Sequence, residues 1–91
     1  MSVTLRVPTV LRKLTAGQDE IETGGTTVAQ VLEEVGGRYN GFLERVRPEP
    51  GGVQPFLNLF VNGEDVRFAQ GLATPVSDGD EVSIIPSIAG G

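Results

Sequence analysis

The side chains that carry most enzyme chemistry are missing from this chain. It has no cysteine and no histidine. That removes disulfides, thiolate nucleophiles, iron–sulfur ligation, the usual zinc sites and imidazole acid–base catalysis. Carboxylates remain, paired at Glu33-Glu34, Glu64-Asp65 and Asp78-Gly79-Asp80. The Asp-Gly-Asp segment lacks the further oxygen donors and distal bidentate Glu of a calcium loop, so a solvated turn is expected. Glu33 and Glu34 fall on the outer face of a predicted helix, with no group placed by spacing to complete an acid–base pair. The hydroxyls of Thr9, Thr74 and Ser87 have only carboxylates and Lys13 as bases, which makes a poor hydrolase. Gly24-Gly25 precedes a helix, but no lysine follows as a phosphate loop requires.

The tail, Ile85-Pro86-Ser87-Ile88-Ala89-Gly90-Gly91, is the remaining candidate. At average glycine usage a random terminus reads Gly-Gly about 0.5% of the time, though 13 glycines make chance more generous here. The tail follows a predicted strand with almost no spacer, so the Gly91 carboxylate is expected to project a short, defined distance from the body. Glycine has no Cβ, and an extended Ala89-Gly90-Gly91 arm suits a narrow channel in another protein's active site.

Positioning that arm falls to a small set of elements. Val3–Val7 alternates with period two and ends at Pro8, a half-buried strand. The segment through Leu11 and Leu14 to Gly17 reads as a connection, and Glu20–Thr23 as a weak second strand, antiparallel to the first. Thr27 and Gln30 fit a capping box, followed by Val28, Val31, Leu32 and Val35 on one helical face; Gly36-Gly37 is expected to stop the helix. A helical turn near Phe42–Val46 is followed by a Pro/Gly-rich loop at 48–52, expected to be mobile. Leu57–Val61 is the strongest strand, Asn62-Gly63 a tight turn, Val66–Phe68 a short partner, and Glu81–Ile85 the last strand. The fold class expected is α+β, a ubiquitin-like β-grasp with a mixed sheet on one main helix and a flexible C-terminal Gly-Gly tail.

Strand phase divides the apolar residues. Leu57, Leu59 and Val61 must face the helix, as must Val82 and Ile84, which turns Phe60 and Ile85 outward. If the two strands are neighbours, Phe60 and Ile85 form an apolar docking patch at the base of the tail, extended by Ile88. Isolated exposed apolar residues are ordinary, but here patch and tail point to the same end.

Bulk properties agree with a small protein that works through partners. A length of 91 residues gives one domain, 1–91 with 86–91 as exposed tail, and no room for a deep cavity. A net charge of −5 opposes nucleic-acid binding and favours basic protein partners. No apolar run is long enough to span a bilayer, and the first residues lack a signal-peptide pattern. No membrane association and a cytoplasmic location are therefore expected.

The segments Val61–Phe68, Gly71–Thr74, Asp78–Val82 and Pro86–Gly91 resemble the ubiquitin-like sulfur carriers, the ThiS/MoaD-like family of the thiamine carrier and the molybdopterin synthase small subunit. The resemblance spans the chain in element order and is nearest to the actinobacterial carriers of cysteine biosynthesis. It implies that the chain is no enzyme but a cosubstrate, with Gly91 as the point of thiocarboxylate attachment. It further implies three partners: a ubiquitin-activating-like adenylyltransferase/sulfurtransferase using ATP, a pyridoxal-phosphate cysteine synthase, and a zinc metalloprotease that releases the product. No cofactor is expected on this chain itself. Donation to molybdopterin, thiamine or a thiosugar, an inert interaction module, and protein conjugation are the competing readings.

Overall fold

The computed structural model describes residues 2–47 and 57–86. Five strands form one sheet: β1 (Val3–Arg6), β2 (Glu20–Thr23), β3 (Leu57–Val61), β4 (Glu64–Asp65) and β5 (Glu81–Pro86). Their spatial order is β2-β1-β5-β3-β4. The central pair, β1 and β5, is parallel, whereas β1–β2, β3–β5 and β3–β4 are antiparallel. One main helix, α1 (Val28–Arg38), and a short α2 (Phe42–Val46) complete the second layer. This is the ubiquitin-like β-grasp.

The core follows the period-two and helical patterns. Val3, Leu5, Ile21, Leu57, Leu59, Val82 and Ile84 are buried on the inner sheet face, opposite buried Val28, Val31, Leu32 and Val35 of α1. Phe42 and Val46 of α2 are fully buried beside them. Val61 is half-buried and packs against the same cluster. Each of these side chains contributes on the order of 1.5–3 kcal/mol when removed from water.

Four local readings need correction. Helix α1 does not stop at Gly36-Gly37 but runs on to Arg38. Neither glycine has positive φ. Gly36 instead serves close packing, because a Cβ there would sit 2.8 Å from Leu43 Cβ of α2. The left-handed turn falls later, at Gly41 with φ +85°. Second, the short partner of β3 is Glu64–Asp65, and Val66–Phe68 is a 3-10 turn. Asn62 and Gly63 both have positive φ, the signature of a type I′ hairpin turn, and such a turn brings the return strand in immediately. Asp65 then accepts from Arg67 N–H and caps the 3-10 turn, which ends the pairing. Third, the first connection contains a 3-10 helix, Thr9–Leu14. Fourth, the capping box is displaced by one residue. Gln30 N–H donates to Thr27 Oγ1 as expected, but Gln30 Oε1 accepts from Thr26 N–H.

The loop 48–52 and the tail residues 87–91 lie outside the described residues. Among the described residues no helix is long and apolar enough to cross a membrane.

Candidate functional site

The site begins with the register of β3 on β5. Leu57 pairs with Pro86, Asn58 with Ile85 and Phe60 with Ser83. Phe60 and Ile85 therefore occupy the outer face as diagonal neighbours, a spacing an aromatic side chain can bridge. Ile85 is 47% exposed. Phe60 is half-buried rather than fully exposed, because it sits between β5 and β4, opposite Asp65. Adjacency of the two strands, the condition for an apolar patch, is met.

Polar groups surround this pair. Arg6 on β1 donates to Glu20 of β2 at 2.7 Å and to Glu81 of β5 at 3.3 Å, forming a charged bridge across three strands. All three side chains are about half exposed, so the bridge adds little stability but orders the outer surface. Pro86 is the last described residue, and Ile88, Ala89, Gly90 and Gly91 lie outside the described residues.

The opposite end of the sheet is fastened by the acidic turns. Asp78 Oδ1 accepts from Ser2 N–H, and Ser2 O accepts from Gly79 N–H. Asp80 accepts from the Asn62 side-chain amide at 3.1 Å and from Ser77 N–H at 2.8 Å. The Asn62 bond, with that of Ser77, holds the Asp80 carboxyl below the usual carboxylate range. Asn62 Oδ1 in turn accepts from Glu81 N–H, tying the hairpin to the start of β5. The Asp-Gly-Asp segment is thus a structural clasp for the N-terminus and the last strand. Asp65 is also lowered, by its side-chain hydrogen bond to the Arg67 guanidinium.

Thr74, Glu33 and Glu34 are engaged structurally, and Ser87 lies outside the described residues. Thr74 is buried, its hydroxyl donating to Gly71 O and accepting from Gln70 N–H. Its own carbonyl accepts from Val28 N–H at the start of α1. Glu34 accepts from Gly24 N–H and pairs with Arg38, and Glu33 pairs with Arg47. Among the described residues no group of three acidic, His or Cys side chains could hold a metal.

Pattern reading missed three exposed or half-exposed groups. Phe68 is 85% exposed because the 3-10 turn directs it away from the sheet. Val10 is 54% exposed on the Thr9–Leu14 turn. Arg12, on the same turn, is half-buried and lines a cleft beside Ile85. A single strand-length window around Phe68 carries no signal for a 3-10 turn, although Asp65 two residues before Arg67 is a capping pattern.

A five-stranded β-grasp body, with its last strand β5 preceding residues 87–91, is the architecture of the ubiquitin-like carriers. The chain belongs to the ThiS family, which matches residues 5–91. It is 44% identical over 93 residues to the sulfur carrier protein CysO of Mycobacterium bovis, with 100% of each chain covered. Its structure is similar to a chain in the crystal structure of the Amycolatopsis orientalis BexX/CysO complex, with a TM-score of 0.90 and 40% identity over 98% of this chain and 99% of that one. Mycobacterium tuberculosis CysO superposes with a TM-score of 0.89 and 43% identity, covering 94% of this chain and 99% of that one.

Proposed function

We propose that this chain carries sulfur as a thiocarboxylate on Gly91 and delivers it to cysteine biosynthesis. One observation carries the reading: the family match extends through residue 91, Gly-Gly included, on a domain with no cysteine or histidine of its own. Full-length similarity to CysO proteins supports the cysteine branch.

The chemistry explains why the carrier needs partners. A carboxylate at neutral pH is a poor electrophile. In this reading an adenylyltransferase lets a Gly91 oxygen attack the α-phosphorus of ATP, with pyrophosphate leaving. A sulfur donor then attacks the acyl carbon and AMP departs, which leaves sulfur in place of one carboxylate oxygen. A pyridoxal-phosphate synthase would supply the three-carbon acceptor to which that sulfur adds; once the product's amine is free it would attack the Gly91 acyl carbon, breaking the thioester C–S bond and leaving cysteine amide-linked to Gly91. A zinc metalloprotease hydrolyses the amide. Ala89 and Gly90 provide the slim arm, and Phe60, Ile85 and Ile88 the docking patch. The working unit is the single domain 1–91 in the cytoplasm; the expected tail 86–91 is shortened by one residue, because Pro86 lies in β5 and pairs with Leu57.

The test is reconstitution with ATP, a sulfide donor and the activating enzyme, followed by intact-mass analysis. The expected result is an oxygen-for-sulfur mass gain that fragmentation places on Gly91, and no gain after deletion of Gly91. A wild-type chain that gains nothing overturns the reading.

A further inference from the structure

The chain has seven cationic side chains. Arg6, Arg38, Arg47 and Arg67 have carboxylate partners, and Lys13 and Arg45 are exposed to water. Arg12 is different. It is half-buried, and among the described residues no carboxylate pairs with it. Its Nε donates to Val7 O at 3.0 Å. That bond sets the plane of the guanidinium and leaves the Nη fork for another acceptor.

Arg12 lines a cleft of about 200 Å³ whose walls include Arg6, Pro8, Ser83 and Ile85. Arg6 is already engaged by Glu20 and Glu81, so Arg12 is the available cation there. A half-buried guanidinium without an anion forgoes its strongest interaction, a bidentate carboxylate bond. Among the described residues none of the chain's acidic side chains pairs with this cation, which leaves room for an anion from another molecule. The cleft's position says which. Ser83 and Ile85 belong to the last strand, within three residues of Pro86, and five further residues reach at most about 17 Å. An enzyme that holds Gly91 is thereby kept within reach of the cleft.

We infer that Arg12 is a docking residue that receives a carboxylate side chain, Asp or Glu, from the enzyme that activates Gly91. The inference rests on the carrier reading and adds a charged anchor next to the apolar patch. Its test measures the binding of the wild-type chain and of Arg12→Ala, Arg12→Lys and Lys13→Ala to that adenylyltransferase over a range of salt concentrations. Amide spectra of each variant report the fold. Arg12→Ala is expected to weaken binding ~10-fold or more and to flatten its salt dependence. Arg12→Lys, which keeps the charge but not the fork, falls between, and Lys13→Ala binds like wild type. If Arg12→Ala loses the fold, Arg12→Lys alone decides: undiminished binding overturns the inference. So does a Lys13→Ala loss equal to that of Arg12→Ala, which would mark a diffuse charge effect. Failure of the wild type to be bound or adenylated at all overturns the carrier reading instead.

Discussion

Phe60 is the residue on which the proposed docking patch turns. It is half-buried on the outer sheet face, across from Ser83 and diagonal to Ile85. Replacing it by Asp removes the apolar surface and sets a second carboxylate opposite Asp65, where like charges repel. Phe60→Thr removes the surface without that repulsion and suits a strand. Both variants are expected to slow adenylation of the carrier ~10-fold or more, while Phe60→Thr stays within about 1–2 kcal/mol of wild-type stability. Adenylation kinetics alongside urea unfolding check this, and severe unfolding of Phe60→Thr contradicts the assignment of faces. Asp80 is a second test at this scale. Its folded pKa is lowered by Asn62 and Ser77, so its contribution to stability is present above its unfolded pKa and is lost as pH falls through the folded one. Asp80→Asn is expected to show a smaller drop in urea midpoint than wild type between about pH 5 and about pH 2. Equal drops contradict it.

Among the elements, the contact of α1 with α2 makes the sharpest prediction, because two adjacent glycines differ in what surrounds them. A methyl at Gly36 meets Leu43 Cβ at 2.8 Å, whereas one at Gly37 meets nothing within 4 Å. Gly36→Ala is expected to destabilise by about 1–3 kcal/mol through overpacking. Gly37→Ala, exposed and helical, is expected to stabilise by about 0.5–1 kcal/mol. Thermal melts of the two variants separate these outcomes, and stabilisation by both would mean that the helices do not meet at Gly36. The same pair shows what the sequence made legible. Strand phases in β1, β3 and β5 and the apolar face of α1 follow from period-two and helical spacing, since burial on one face selects the phase. A Gly-Gly pair is ambiguous without tertiary information, for glycine ends a helix or admits a close neighbour, and only Leu43 decides between them. The Val66–Phe68 segment failed for a related reason: alternation over three residues is too short to separate a strand from a 3-10 turn capped by Asp65. Of the candidate site, Phe60 and Ile85 were readable from strand phase, while Arg12 was not, because its Nε bond to Val7 and its cleft against β5 are tertiary facts.

At the scale of the molecule, the parallel β1–β5 pair sits at the centre of the sheet with hydrogen-bonded neighbours on both sides. The acidic turns fasten the start of β5, through Asn62, Asp80 and the Asp78 bond to Ser2. The opposite end of β5 lies beside the Arg12 cleft and leads towards residues 87–91. One end of the strand is thus anchored, and in the proposed function the other end hands the chain to a partner. In the proposed reading the reacting group is the Gly91 carboxylate and the chemistry belongs to partner enzymes, a division of labour compatible with a sequence that has no cysteine or histidine. The most direct measurement is the intact mass of the chain purified from sulfur-replete native cells, with fragmentation of its C-terminal peptide. A fraction heavier by one oxygen-for-sulfur exchange, located on Gly91, is the predicted result. Sulfur found elsewhere in the chain, or an unchanged carboxylate on Gly91 in cells and after reconstitution alike, contradicts the account.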